Sequence, residues 1–400
     1  MDGYLNTKVK ESCYGCEACA QICPRAAVSM REDREGFRYP AVDEGLCVHC
    51  GLCHKVCPCE HMPAFHQEPQ TAFGGYIKDE RVRDGSTSGG AFSAIVNAWC
   101  RSDTPYAIFG AIADGLEVRH AYVTDRSQIG AFRKSKYSQS HMGNSYREAR
   151  DFLKKGYRVL FSGTPCQIAG LKSHLGKTEP LSLLTIEVVC EGVPSPWYVR
   201  KLSRHFQKTC GAGISSLDYR YKDGNKWDFQ VMQTTLADGA EHKIDRWFNP
   251  FWSIWLSHLM SRPSCGSCPF ARRERQADIT LGDLWGVHLY CPELYGRNGG
   301  SSLIVCNSDK GLVALGDALP SLYGHELDID EAIKYQGPMR RSAGFSPKRE
   351  EFMEDLTGPM TYEEINARWA KGPTPKLLFQ KYIWGNRQKV ALWNLLHRHG

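Results

Sequence analysis

The chain has no run of 18 or more apolar residues, which excludes a hydrophobic membrane-spanning helix. Its opening, MDGYLNTKVKES, lacks a basic stretch leading into an apolar one, so it does not read as a secretory signal. Both absences lead us to expect a soluble, cytoplasmic protein. The composition is not that of a disordered chain either: 42% of residues are hydrophobic and 24% charged, and 400 residues suffice for two or three domains with cores of their own.

Cysteine is what the chain has in excess. Seventeen in an intracellular protein of this size argue for metal or redox chemistry over disulfides. Eight of them fall between residues 13 and 57, as two copies of the spacing CxxCxxCxxxCP. The first is CYGCEACAQICP, with Cys13, Cys16, Cys19 and Cys23; the second is CVHCGLCHKVCP, with Cys47, Cys50, Cys53 and Cys57. This is the run of bacterial two-cluster ferredoxins, in which three thiolates wrap one 4Fe-4S cluster and the fourth crosses to its neighbour. Cluster one is expected on Cys13, Cys16, Cys19 and Cys57, and cluster two on Cys47, Cys50, Cys53 and Cys23. Gly15 and Gly51 suit the close backbone approach of such loops. A pair of zinc knuckles is the rival, although zinc rarely uses this double spacing with two CP endings. Cys59 fits neither motif and reads as a spectator.

From about residue 72 apolar runs alternate with helical stretches, the mark of an α/β core. AIFGAIAD and LEVRHAYV read as a strand pair, SYREARDFLKKG as a helix, GYRVLFSG as a strand, QIAGLKSHLG as a helix and LLTIEVVC as a strand. Cys166, in GTPCQIAGL, and Cys190 each stand at the end of a strand in this scheme, and a right-handed crossover brings such ends together. Cys265 and Cys268, in RPSCGSCPF, supply two more thiolates, enough for a third 4Fe-4S cluster. The rival reading makes Cys166 a nucleophilic thiol activated by Lys172 or His174. Three clusters at about minus two each would cancel the formal charge of +6, which removes the main support for nucleic-acid binding.

DGSTSGGAFSAIVNAWC sets hydroxyls and a glycine pair before an apolar helix, a place that suits a pyrophosphate, yet it is neither GxGxxG nor a Walker loop. FRKSKYSQSHMGN offers cations and polar groups in Lys134, Lys136, Tyr137, Ser138 and Gln139. ADITLGDLWG places Asp283 and a tryptophan after a strand, where the acid serves as a proton donor or a hydrogen-bond anchor. GGSSLIV precedes another strand. The final stretch, PTPKLLFQKYIWGNRQKVALWNLLHRHG, has no acidic residue and reads as a basic amphipathic helix that docks on the parent domain, or else meets a partner or a membrane surface.

Taken together, DGSTSGGAFSAI, KSKYSQS, FSGTPCQIAGLKSHL, VVCEGVPSP, RPSCGSCPF, ADITLGDLWG and GSSLIVCN resemble the coenzyme F-420 hydrogenase/dehydrogenase beta subunits, with a ferredoxin unit in front. The resemblance implies an iron-sulphur flavoprotein oxidoreductase that binds FAD and exchanges electrons between ferredoxin and a deazaflavin or organic substrate. It makes Cys166, Cys190, Cys265 and Cys268 the cluster nearest the flavin. It also places the flavin among Ser88, Gly89 and Gly90, the Lys134–Gln139 loop, and Gly163, Thr164 and Gln167. A non-catalytic electron-transfer subunit of a larger complex is the rival in another class. The expected fold is α+β to α/β: a two-cluster ferredoxin-like domain over residues 1–65, an α/β domain holding FAD and the third cluster over 72–325, and a helical extension over 326–400.

Overall fold

The computed structural model describes residues 2–67, 71–101, 104–176, 180–224 and 226–397, the side chains of 296 and 297 excepted. In the cysteine-rich amino-terminal unit, β1 (Val28–Glu32) and β2 (Arg38–Val42) pair antiparallel between the two cysteine motifs. The strands β3 (Thr71–Ile77), β4 (Tyr106–Asp114), β5 (Glu117–Val123), β6 (Arg158–Gly163) and β7 (Leu183–Val188) follow. Next, β8 (Ile214–Tyr221), β9 (Val231–Leu236) and β10 (Glu241–Ile244) form a separate antiparallel sheet. Finally β11 (Ile279–Asp283), β12 (Ser302–Cys306) and β13 (Leu322–Leu327) complete the main sheet, whose order is β13-β3-β12-β11-β7-β6-β4-β5. β4, β6, β7 and β11 run parallel, while β3, β5, β12 and β13 close the edges with antiparallel pairs. Because β13 ends at Leu327, the sheet runs two residues past the expected boundary at 325.

The period-two alternation of the strands feeds two faces. Ile108, Leu160, Ile186 and Ile304 face the helices Ala91–Trp99 and Asp309–Ala318. Ala107, Phe109, Val159, Phe161 and Leu183 face the helices Ser145–Lys154 and Pro165–Leu175, and the same core takes in Cys16, Ala18 and Val56. The amino-terminal unit is therefore packed onto a face of the main sheet. Polar ties fix it there: the Tyr146 amide donates to Gln21 Oε1 at 2.8 Å, Arg147 donates to the Cys23 carbonyl at 2.9 Å, and Ser195 Oγ donates to the Glu35 carbonyl at 2.6 Å. A further core joins the helix Trp197–Cys210 and the small sheet to the carboxyl-terminal helices Arg349–Thr357 and Tyr362–Trp369.

The carboxyl-terminal stretch is not the single helix expected. A short helix at Pro375–Leu378 loosens into a π-turn at Phe379–Ile383, and a new helix starts at Asn386 after Gly385. The break follows from Gly385, which is extended and receives the Gln388 side chain at its amide, so the chain restarts with a fresh cap. Val390 is buried against the core of Leu294 and Tyr295, whereas Phe379, Ile383, Trp384 and Leu395 remain exposed. Residues 398–400 of this stretch lie outside the described residues. Among the described residues no helix is long and apolar enough to cross a membrane.

Behind the strand ends sits a buried ion pair. Glu187, fully buried, accepts from Arg275 and from Thr280 Oγ1 at 3.1 Å, and from the amides of Gln276 and Ala277 at 3.3 and 3.2 Å. Glu187→Ala would strand the buried Arg275 guanidinium, so it should cost about 3–5 kcal/mol, read as a lower midpoint of urea unfolding. An unchanged midpoint would show that the pair is not stabilising.

Candidate functional site

The two amino-terminal motifs fold as tight loops, each leading into a short helix, Ala18–Ile22 and Leu52–Lys55. Left-handed backbone at Gly15, Glu17, His49 and Gly51 turns the chain so that the thiols converge. Cys19 lies within electrostatic range of Cys13, Cys16 and Cys57, and Cys16 also of Cys57. Cys53 lies within range of Cys23 and Cys47. The fourth thiol of each motif thus lies near the other motif, Cys57 by Cys16 and Cys19, and Cys23 by Cys53, while Cys50 is exposed. Burial pushes the thiols of Cys16 and Cys19 well up, and that of Cys57 to about 11. Cys23 is little buried: burial raises its thiol, but the amides of Arg25, Ala27 and Val28 outweigh it and lower it. The two sets adjoin through Cys19 and Cys53.

Cys166 sits in the first turn of the helix Pro165–Leu175. That turn is specified locally, because Pro165 occupies the first helical position and the Thr164 amide donates to Gln167 Oε1 at 2.9 Å. Cys190 stands two residues past β7. The strands β6 and β7 are parallel neighbours, Gly163 pairing with Glu187, so both cysteines leave one end of the sheet. Cys265 and Cys268 arrive from the loop after Arg262, and every pairing among the four thiols falls within electrostatic range. Burial pushes Cys166, Cys265 and Cys268 to about 11 and Cys190 well above the ordinary range. A thiol held that high is a poor nucleophile, which counts against the activated-thiol reading of Cys166. Lys172, one of its supposed activators, donates instead to the Gln276 carbonyl at 2.9 Å.

This third set adjoins the first. Cys16 lies within range of Cys166, and a Cβ on Gly170 of the Cys166 helix would stand 3.2 Å from Cys16 Sγ. Tyr14 lies against Phe270 within range of Cys57, Cys268 and Cys59. Cys59, the spectator of the sequence, is buried beside it.

Beyond the third set a group of polar and charged side chains gathers at the carboxyl ends of the parallel strands, the usual ligand position in open α/β sheets. Leu281 of β11 pairs with Val188 of β7, so Asp283 and Cys190 each stand two residues past one rung. Asp283 accepts from Arg220 at 2.9 and 3.3 Å and from Trp227 Nε1 at 3.0 Å. Both carboxylate oxygens are thus engaged as acceptors. Trp227 stacks on Trp285, and Arg220 also reaches the Tyr137 hydroxyl. Lys222 donates to the carbonyls of Arg83 and Ser88, and its ammonium is pushed down to about 7 by burial and then by Arg83. Burial also lowers Lys136, to about 8, and Arg246. Several partly buried cations thus gather there with the carboxylates of Asp84, Asp218, Asp283 and Glu191, and burial disfavours their charged forms, a cost that an anionic ligand would offset.

The expected flavin residues divide. Ser88, Gly89 and Gly90 adjoin this group through the Lys222–Ser88 contact, but Ser88 Oγ is spent on the Ser301 carbonyl at 2.5 Å and the Gly89 amide on Ser302 Oγ at 2.9 Å. The 134–139 loop adjoins them, the Ser135 amide meeting Thr87 Oγ1 at 2.7 Å. Within it Lys134 pairs with Asp218, Lys136 bonds the carbonyls of Ala131 and Arg133, Tyr137 packs on Trp252 and Trp255, and Ser138 is half-buried. Gln139 points elsewhere: Nε2 donates to the carbonyls of Tyr14 and Gly15 at 3.0 and 3.1 Å, so it clamps the first cysteine loop. Gln167 is likewise buried and committed to Thr164 and, at 2.8 Å, to Ser140. Gly163 and Thr164 remain half-buried at the end of β6.

Sequence reasoning missed Arg220, Lys222 and Trp227, which arrive on and after β8. The only signal was the basic and aromatic run YRYKDGNKW in an otherwise ordinary segment. Replacing Cys166 by serine should remove about a third of the bound iron while the amino-terminal pair is kept, as counted by iron and sulphide assay. Full iron retention would sink the third thiol set as a cluster site.

Known proteins match in pieces. An uncharacterized polyferredoxin-like protein of Methanocaldococcus jannaschii is 33% identical over 60 residues, 13% of this chain and 36% of its own length. A component of the anaerobic dimethyl sulfoxide reductase of Escherichia coli is 47% identical over 49 residues, 12% of this chain and 22% of its own. A component of the F(420)H(2) dehydrogenase of Methanosarcina mazei is 24% identical over 190 residues, 44% of this chain and 53% of its own. The chain thus spans about a fifth to a half of the length of these relatives. A polypeptide of the F420-reducing NiFe hydrogenase complex from Methanosarcina barkeri aligns with a TM-score of 0.44 and 14% identity, covering 75% of this chain and 91% of that one. The profile of the 4Fe-4S dicluster domain matches residues 12–61, and that of the carboxyl-terminal part of coenzyme F420 hydrogenase/dehydrogenase beta subunits matches residues 156–331. Residues 156–331 accordingly form a domain like the carboxyl-terminal part of coenzyme F420 hydrogenase/dehydrogenase beta subunits, and a 4Fe-4S dicluster domain precedes it.

Proposed function

We propose that the chain is an iron-sulphur flavoprotein oxidoreductase with three 4Fe-4S clusters and FAD, passing electrons between ferredoxin and a hydride-accepting partner, either the deazaflavin coenzyme F-420 or an organic substrate. The observation that carries this reading is the serial order of three thiol sets, the last of which stands at the same strand ends as a group of cations. Cys23, Cys47, Cys50 and Cys53 would hold the outer cluster, Cys13, Cys16, Cys19 and Cys57 the middle one, and Cys166, Cys190, Cys265 and Cys268 the inner one. The thiol-only donor sets, far apart in sequence yet mutually adjacent, fit such clusters. When bound, the clusters carry single electrons and FAD converts them to hydride exchange.

The chain's own part is binding and orientation. Lys222 and Lys136 would neutralise the pyrophosphate of FAD, which restores charge balance to a site where burial now disfavours their ammonium forms. Arg220 is aimed by Asp283, which we therefore read as a positioning residue of the pocket wall. Trp227 and Trp285 give that wall a flat aromatic side. Burial of the inner thiols would keep water from a cluster held there.

A second reading, that of a non-catalytic electron-transfer subunit, draws support from the outer end. There Cys50 is exposed within a collar of exposed Leu46, Val48 and Leu52, a surface suited to a redox partner.

Reduced deazaflavin and reduced ferredoxin, added separately to anaerobic FAD-loaded protein, test the proposal through bleaching of the flavin and cluster absorption. Bleaching by both supports the coupled enzyme; bleaching by neither overturns it. Lys222→Gln should weaken FAD binding about tenfold to a hundredfold, the worth of one charge-assisted hydrogen bond. Because the Lys222 ammonium is lost as pH rises through about 7 in the free protein, wild-type affinity should fall from pH 6 to pH 9. Fluorescence titration of FAD measures both, and a flat profile with an unaffected variant would remove Lys222 from the site.

A further inference from the structure

Arg262 is a buried guanidinium, 1% exposed, at the start of the segment that carries Cys265 and Cys268. Its Nε donates to the Cys13 carbonyl at 2.9 Å, and Nη1 donates to Gln139 Oε1 at 3.0 Å. Nη2 donates to the Arg38 carbonyl at 3.1 Å and to Cys13 Sγ at 3.4 Å. Tyr39 covers one face at 4.3 Å from its ring centroid. Gly15 makes the approach possible, since a Cβ there would lie 2.9 Å from Nη1 and 2.4 Å from the Gln139 amide that steers it.

Among the described residues no carboxylate forms an ion pair with this arginine, in contrast to Arg275 and Arg220, which both have one. Its other acceptors, the Cys13 and Arg38 carbonyls and Gln139 Oε1, are neutral, and a cluster-bound Cys13 thiolate would be the one anion among its partners. A buried guanidinium keeps its charge and needs an anion close by. The same cation lies within electrostatic range of Cys166 and Cys265. It therefore stands at the junction of the first and third thiol sets, in contact with the first.

We propose that Arg262 sets the reduction potential of the middle cluster, on Cys13, Cys16, Cys19 and Cys57, by an N–H···S bond and an uncompensated buried charge. This rests on the cluster reading given above. One electron from a low-potential donor adds one negative charge to a site already at about minus two, and no proton accompanies it because the guanidinium stays charged. The fixed positive charge favours the reduced form and offsets repulsion from the neighbouring cluster. The effect on the inner cluster is smaller, since Arg262 bonds none of its sulfurs.

Redox titration of the reconstituted full chain, followed by electron paramagnetic resonance, tests this in wild type, Arg262→Gln and Arg262→Lys. Arg262→Gln should make one cluster at least tenfold harder to reduce, about 59 mV lower for a one-electron couple, and leave the outer cluster unchanged. Arg262→Lys, which keeps the charge and loses the fork, should fall between. Unchanged midpoints in iron-replete Arg262→Gln overturn the proposal. So does iron loss in that variant together with an unchanged midpoint in Arg262→Lys, which would make the residue structural only. Wild-type protein that takes up no 4Fe-4S clusters at all would instead sink the cluster reading, and iron counting before the titration separates the two failures.

Discussion

The parallel pairing of β6, β7 and β11 is the constraint from which the site follows. It carries the chain out of one end of the sheet three times, at Cys166, Cys190 and Asp283, with registers that leave the last two level. A one-residue slip would turn the alternating apolar side chains of these strands to the wrong face, so the register is held by the cores on both sides. The Glu187–Arg275 pair and its amide donors pin the same strands from behind. Thiols from three distant segments can meet only because this platform is rigid.

The amino-terminal unit adds the second layer of order. It does not hang from a linker but shares a core with the sheet through Cys16, Ala18 and Val56. Tyr146 marks the junction: its hydroxyl lies 3.0 Å from the Cys16 carbonyl and 2.9 Å from the Gln167 carbonyl, so one side chain touches both cysteine-bearing segments. Gln139 and Arg262 clamp the first loop from the opposite side. The spacing between the first and third thiol sets is therefore a packed distance, which is what electron transfer between fixed centres would require.

Charge distribution separates the two ends of this path. The thiol sets are wrapped in backbone amides and apolar side chains, whereas the strand ends gather Lys136, Arg220, Lys222 and Arg246 with the carboxylates of Asp84, Asp218, Asp283 and Glu191. Burial works against the ammonium groups there, a cost that an anionic ligand would offset. Arg262 carries that logic to the cluster side, where a cation without a carboxylate faces sulfur.

Local chemistry was legible along the chain. The doubled cysteine spacing dictates its own loops because two intervening residues leave little conformational choice. The apolar run before GTPC, the proline at the first helical position and the cap formed by Thr164 and Gln167 place Cys166 at a strand–helix turn without help from elsewhere. Tertiary structure decided which groups meet. Gln139 and Gln167 look like ligands in a polar run yet are spent on backbone and hydroxyl partners, because burial forces polar side chains to find the nearest unsatisfied group. Arg220, Lys222 and Arg262 look like ordinary surface cations in the sequence. Their charge acquires meaning only from residues more than 60 positions away, which the fold brings within hydrogen-bond reach.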